Sequence, residues 1–475
     1  VAKIKKENKM KIVTYDEIDT VFKSKQAAID VDWDVIRQIL KEVKQNGDEA
    51  IKAYTLKFDG VSLDSFKIEK HTLKEAYDRL APPDFGPQRN TKKKNSAQTI
   101  SMKSFWKSRD LFSKRFLAAG GKSSGVTALE NAASRLKIFA EKQLEQLQDF
   151  EFEIAPGVRA GQRVIPIERI GVYVPGGNFP LVSSLLMGVV PARAAGVTEI
   201  AVCTPPGPDG NIHPAVLAAA YIADIDELYT IGGVQAIGAL AYGTESIKAV
   251  DKIVGPGNKY VTAAKKEVYG DVGIDFIAGP SEVLIIADKS AEPAWIAADL
   301  LAQAEHDIMA VPLLVTSSKE LAQQVNEEID CQLSQLDTRE IARQSLEKNG
   351  CTILVETLDQ AVEFSNLKAP EHLELQVEEP EPYIPKLRNY GTLFIGNYAA
   401  EVLGDYSSGL NHTLPTGRAT RYTGGLSVRD FVKIQTTLRT NQEGIHQIGK
   451  DALQIAQLEG LSAHANAVSL RINRL

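Results

Sequence analysis

From about residue 166 onward the chain repeats one unit: a short apolar strand, a glycine-bearing turn and a helix. No other feature constrains the fold as much. Successive units of this kind join by crossovers, so their strands lie parallel in one sheet with helices on both faces. A first set predicts strands over 170–174, 199–203 and 227–231, and helices over 183–195, 216–223 and 235–240. The turns fall at Pro175-Gly176-Gly177, Gly232-Gly233 and Gly255-Pro256-Gly257-Asn258. A second set predicts strands over 283–286, 311–315, 351–355 and 391–395, with helices over 293–305, 319–329 and 358–366. The expected class is α/β: two doubly wound parallel-sheet (Rossmann-like) domains with N-terminal helices and a C-terminal helical tail.

The expected partition has five parts. Residues 1–59 form an N-terminal helical segment, with an apolar stripe of Val35, Ile36, Ile39, Leu40 and Val43 at helical spacing. Residues 60–171 and 283–427 form a first α/β domain, interrupted by a basic insertion at about 84–124. Residues 172–282 form a second α/β domain, and 428–475 a tail. The tail shows helical patterns over 428–435 and 446–459 and alternating apolar residues over 467–475. With so little core of its own, it is expected to pack on the body or on another subunit.

Within 84–124, Arg89, Lys92, Lys93, Lys94, Lys103, Lys107, Arg109, Lys114, Arg115 and Lys122 face only Asp84 and Asp110 in number. Such a run reads as a solvated appendage, with a nucleic-acid or membrane-surface contact as the sharper alternative. The formal net charge of −7 over 475 residues argues against a general nucleic-acid partner. No run approaches the roughly 18 apolar residues that would span a bilayer. Residues 1–8 are polar and lysine-rich without an apolar run behind them, and Glu7, Asp16 and Glu17 oppose a transit peptide. Cys203, Cys331 and Cys351 are odd in number and far apart, as expected of reduced thiols in a cytoplasmic protein.

Seven histidines occur, and four lie in distinctive settings late in the chain: Gln303-Ala-Glu-His306, Pro370-Glu371-His372, Asn411-His412 and Ser462-Ala-His464. A single histidine is usually a surface or satisfied core residue. Gln303 and His306 are three apart on a predicted helix and share a face, a spacing that can hold a metal through a carbonyl oxygen and a ring nitrogen. Asp405 and His464 are candidates for the remaining ligands, although Asp405 beside Gly404 also suits a simple turn. Glu371 and His372 put a carboxylate next to an imidazole, which suits proton transfer. Glycines at the strand ends let a ligand approach the backbone, but no Gly-x-Gly-x-x-Gly opens a helix, so a standard dinucleotide site is not supported by motif. Cys203 follows a strand with nothing beside it to activate a thiol, and reads as core.

Taken in order, these segments resemble the histidinol dehydrogenase family. They are Arg169-Ile-Gly-Val-Tyr173-Val-Pro-Gly-Gly177, Gly232-Gly-Val-Gln235-Ala-Ile, Asp251-Lys-Ile-Val-Gly-Pro-Gly-Asn258 and Ala278-Gly-Pro-Ser281-Glu-Val-Leu. Downstream come Gln303-Ala-Glu-His306-Asp, Pro370-Glu371-His372-Leu, Gly404-Asp405-Tyr, Asn411-His412-Thr-Leu-Pro-Thr, Gly425-Leu-Ser-Val-Arg-Asp430-Phe and Glu459-Gly-Leu-Ser-Ala-His464. The resemblance covers about 30–83 and 126–475; the basic stretch at 84–124 departs from it.

The resemblance implies one zinc per subunit, held by Gln303, His306, Asp405 and His464, which also takes the substrate's amine and imidazole nitrogens. It implies Glu371 and His372 as the acid/base pair, and Ser281, His372, His412 and Glu459 around the substrate with the zinc ligands. NAD would meet Tyr173, Gln235 and Asn258, making 172–282 the NAD-binding domain. The implied reaction is the four-electron oxidation of L-histidinol to L-histidine via L-histidinal with two NAD, the last step of histidine biosynthesis. The implied assembly is a homodimer with swapped C-terminal tails. Two rivals are a zinc- and NAD-dependent dehydrogenase of another small alcohol, such as sulfopropanediol, and a non-catalytic zinc-binding relative.

Overall fold

The computed structural model describes residues 10–18, 31–80, 124–176 and 180–473. All but the last residue of the basic stretch lies outside them. Two six-stranded sheets organise the chain. The first runs, edge to edge, Lys67–Ile68, Glu227–Thr230, Glu199–Thr204, Arg169–Tyr173, Lys252–Val254 and Gly273–Ile274, parallel except for its first strand. The second runs Lys11–Thr14, Cys351–Leu354, Val311–Thr316, Glu282–Ala287, His372–Gln376 and Thr392–Ile395, parallel throughout. The α/β class with parallel sheets is therefore as expected.

Period-2 geometry explains why these strands read as continuous apolar runs: successive side chains enter opposite cores. In the first sheet, Ile170 and Val172 join one core while Tyr173 joins the other. In the second, Val283, Ile285 and Ala287 face one side and Leu284 and Ile286 the other. In each sheet the chain winds outward one way and then crosses back beside its starting strand. The reversal lies between Arg169–Tyr173 and Lys252–Val254 in the first sheet. In the second it lies between Glu282–Ala287 and His372–Gln376.

Three expectations need correction. The 1–59 segment is not only helical, because Lys11–Thr14 pairs with Cys351–Leu354 at the edge of the second sheet, burying Val13. The helix Trp33–Asp59 instead lies on the first sheet, its expected stripe residues Ile36, Ile39, Leu40 and Val43 buried and its N-terminus capped by the Asp32 carboxylate. The described elements of 60–171 also belong there rather than with 283–427. Lys67–Ile68 pairs with Glu227–Thr230, and Leu73, Ala76, Leu136 and Ala140, on the helices Lys70–Leu80 and Ser124–Leu144, share a core with Ile170 and Val172.

The third correction concerns the tail. Residues 428–435 are not a helix: a short 3-10 turn, Val428–Phe431, leads into the strand Val432–Thr440. That strand pairs antiparallel with Val158–Pro166, which also pairs with Phe150–Ala155, making a third sheet. Val432, Ile434, Thr436, Leu438 and Thr440 alternate with polar residues, a strand period that outweighs the helical start. The helices Gln442–Leu458 and Ser462–Ile472 complete the tail, the second replacing the alternation expected over 467–475.

Candidate active site

Expected site residues gather at the amino-terminal edge of the second sheet. Ser281 precedes the strand Glu282–Ala287, and Glu371 precedes His372–Gln376, its neighbour. The helix Pro293–Ala304 returns along the sheet and brings Gln303 to the same edge. The short helix Glu401–Tyr406 presents Glu401 and Asp405 four residues apart, hence on one face.

These side chains form a buried imidazole–carboxylate cluster. His372 Nδ1 lies 3.4 Å from Glu401 Oε1 and 3.7 Å from Glu371 Oε2, and its Nε2 lies 3.6 Å from Asp405 Oδ1. Glu371 Oε2 accepts the Glu282 N–H at 2.8 Å, which fixes the carboxylate. Turned so that its amide nitrogen faces Glu401, Gln303 donates to Glu401 Oε1 at 2.7 Å and accepts from the Glu282 N–H at 2.8 Å. Behind them, Glu374 accepts the Glu401 N–H at 3.0 Å and a bond from the Gln376 amide at 2.6 Å, and Gln376 also donates to Asp299 at 3.2 Å.

Burial pushes the His372 imidazole down, but Glu401, Glu371 and Asp405 outweigh it and lift the group to about 10. Burial lifts Glu371 to about 8, against the pull of His372. Asp405, though buried, is held below the ordinary carboxylate range by the His372 imidazole 3.6 Å away and by the charges of His412 and His306. His412 is pushed down by burial, opposed by Asp405. The charges of three histidines thus act on one carboxylate. His372 Nε2, Asp405 Oδ1 and His412 Nε2 are buried without hydrogen-bond partners among the described residues. Open nitrogen and oxygen acceptors converging on one point are what a divalent cation requires, and His372, Glu401 and Asp405 offer ligand atoms within 4.8 Å of one another.

Of the four residues proposed from sequence as metal ligands, Gln303 and Asp405 are buried in this cluster, and His306 is exposed but near enough for its charge to act on Asp405. His464 and Glu459 are exposed on the tail helices and do not join the cluster within one chain. Sequence reasoning missed Glu401, Glu374 and Asp299. The signals were present: Glu401 precedes Asp405 by one helical turn, and Glu374 follows His372 by two along a strand.

Tyr173, Gln235 and Asn258 gather elsewhere, at the carboxyl-terminal edge of the first sheet and its winding reversal, where open α/β sheets bind ligands. All three line a cavity of about 840 Å³. The Tyr173 hydroxyl accepts the Gly233 N–H at 3.1 Å at the start of the helix Gly233–Tyr242. Asn258 caps the helix Lys259–Val268 by accepting from Tyr260 and Val261 at 3.0 and 3.1 Å. Gly255 takes φ +113, and a Cβ there would lie 2.2 Å from the Tyr173 carbonyl oxygen. Only glycine lets these strand ends approach this closely.

Twin parallel sheets, a nucleotide-sized cavity at one carboxyl edge and a buried acid–base cluster at the other sheet's amino edge define an α/β enzyme acting on small molecules. The family model for histidinol dehydrogenase matches residues 23–101 and 117–472. A histidinol dehydrogenase of Aquifex aeolicus is 45% identical over 92% of each chain. One of Methanothermobacter thermautotrophicus is 41% identical over 98% of this chain and 99% of its own. The crystal structure of histidinol dehydrogenase from Elizabethkingia anophelis superposes with a TM-score of 0.84 at 35% identity, covering 98% of each chain. The chain belongs to the histidinol dehydrogenase family and is an oxidoreductase.

Proposed function

We propose that the protein oxidises L-histidinol to L-histidine through L-histidinal, reducing two NAD, as the last step of histidine biosynthesis. The observation that carries this reading is the convergence of Gln303, Asp405, His372, Glu371 and His412 on one buried edge. Its donors suit a substrate bearing an imidazole, an amine and a primary alcohol. Gln303, His306 and Asp405, with His464 of the partner subunit, would hold zinc; zinc there supplies positive charge and orientation at the substrate's nitrogens. Tyr173, Gln235 and Asn258 would hold NAD, which supplies the hydride acceptor.

The chain's own groups account for the proton work. His372 takes the hydroxyl proton as the alcohol is oxidised. Glu401, Glu371 and Asp405 favour its imidazolium, so it acts as a base once negative charge in the cluster is offset, to which a divalent cation at Asp405 would contribute. Glu371, whose carboxyl burial holds near neutrality, takes a proton from the water that hydrates the aldehyde. Ser281, His412 and Glu459 hold the substrate. Two hydrides leave and one water enters, so alcohol becomes carboxylate.

A dimer with exchanged tails completes the site. The third sheet and tail expose Phe150, Phe152, Ile154, Ile434, Leu438, Ile455 and Leu458, apolar side chains that a partner subunit would cover. Metal analysis of the purified protein, combined with a histidinol-dependent NADH assay, tests the reading. One zinc per subunit and two NADH per histidinol are expected; zinc-loaded protein that leaves histidinol untouched while turning over another alcohol such as sulfopropanediol would overturn it.

A further inference from the structure

One wall of the cavity at the first sheet's carboxyl edge comes from outside both sheets. It is the helix Trp33–Asp59, whose first turns contribute Val35, Ile36 and Ile39 and whose last turn contributes Phe58 and Asp59. Asp59 is half-buried, and among the described residues its Oδ2 is buried with no hydrogen-bond partner. Burial raises its carboxyl above the ordinary range, and its charge reaches the Tyr173 phenol. Gly60 fixes the residue's place: at φ 71 it ends the helix, its N–H bonding to the Leu56 carbonyl at 3.2 Å. A carboxylate in the final turn of a helix opposes the helix dipole, and Lys57, the cation of that turn, lies over the Tyr54 and Phe58 rings. Among the described residues nothing hydrogen-bonds Asp59 Oδ2; a ligand carrying hydroxyl donors would.

The rest of the wall says which ligand. Asp32 is the cavity's other carboxylate, and among the described lining residues there is no lysine or arginine. The helix Trp33–Asp59 packs on the first sheet's helices Gly233–Tyr242 and Lys259–Val268, and the core it shares holds no residue of the second sheet, which carries Glu371 and His372. Asp59 therefore meets the half of a dinucleotide remote from the reacting ring. We propose that the Asp59 carboxylate accepts the hydroxyls of the adenosine ribose and that, with no cation opposite, it makes this site take NAD and refuse the 2′-phosphorylated dinucleotide. Carboxylate recognition of a ribose diol is a general solution for telling the two cofactors apart; here the acid comes from an N-terminal helix rather than from the end of a sheet strand. The inference rests on the reading of this cavity as the NAD site.

The test uses the full-length protein, with NAD, its 2′-phosphorylated form and 2′-deoxyadenosine NAD as probes in binding titrations. Hydrogen bonds to a charged group contribute enough that Asp59→Asn is expected to weaken NAD about tenfold to a hundredfold. The variant is also expected to narrow the preference over the phosphorylated dinucleotide by at least about tenfold, with KM for histidinol unchanged. Wild-type protein is expected to bind the deoxy analogue more weakly than NAD by a similar factor. If Asp59→Asn binds NAD as wild type does while Gln235→Ala weakens it, the cavity holds NAD and the proposal for Asp59 is wrong. If neither variant changes NAD affinity, the cavity is not the NAD site and the proposal falls with it. If Asp59→Asn fails to fold, the wild-type comparison decides: equal affinity for NAD and the deoxy analogue overturns the proposal.

Discussion

Replacing Glu371 by Gln separates chemistry from metal binding. In the structure Glu371 Oε2 accepts the Glu282 N–H at 2.8 Å and lies 3.7 Å from His372 Nδ1. A glutamine oxygen can keep the first contact, so the strand edge stays in place, but it cannot take a proton. Loss of a positioned general base costs about 10²- to 10⁴-fold in rate, equivalent to about 3–5 kcal/mol of transition-state stabilisation. The loss is expected to fall mainly on histidinal oxidation, where water must be activated, and less on the first hydride step. Zinc content is expected to be unchanged, because Glu371 is not among the proposed ligands. Stability moves the other way. Burial raises the Glu371 carboxyl to about 8 in the folded state, so below its unfolded value the group carries no ionisation penalty. As pH rises from the ordinary carboxylate range towards 8, the wild type loses stability that the glutamine variant keeps. NADH formation from histidinol and from histidinal, zinc quantification and thermal melts across that pH window check all three outcomes. Zinc lost in parallel with activity, or a rate within tenfold of wild type, would refute the assignment.

Two further changes probe the scaffold. A Cβ at Gly404 would lie 2.6 Å from two carbons of the buried Phe394 ring, whose centroid is 6.1 Å from that of His372. Gly404→Ala should therefore cost about 1–3 kcal/mol by overpacking and also raise KM for histidinol by shifting Asp405 and His372, as melts and steady-state kinetics will show. Glu227, raised by burial but lowered further by the Arg169 hydrogen bond and charge, sits below its ordinary value. Its ion pair stabilises the fold above the unfolded carboxylate range and is lost as pH falls through the lower folded value. The melting-temperature gap between wild type and Glu227→Gln should close on acidification.

The strands near 170 and 283 were legible because both faces of each are buried, leaving continuous apolar runs between glycine turns. The strand Val432–Thr440 was not, because its partner Val158–Pro166 lies far away in sequence and its nearly complete exposure in one chain weakens the burial signal. The Glu371-His372 pair could be found from adjacent residue types. Glu401 and Glu374 stand at helical and strand spacing from Asp405 and His372, but that they and Asp299 join the cluster depends on two helices and a strand meeting in space. Nor could the sequence show that the acid–base cluster occupies the amino edge of the second sheet while the cavity occupies the carboxyl edge of the first. Asp59 escaped for a similar reason: it ends a helix whose packing on the first sheet is a tertiary fact.

In the proposed dimer each site joins Glu371 and Asp405 of one subunit to His464 of the partner subunit. Co-expression of Glu371→Gln and His464→Ala chains under different tags, followed by isolation of the mixed dimer, tests it directly. With exchanged tails, one site of that dimer carries both lesions and the other carries neither, so about half of the wild-type activity is expected, although each variant homodimer is nearly inactive. A mixed dimer as inactive as its parents would show that His464 serves the site of its own chain.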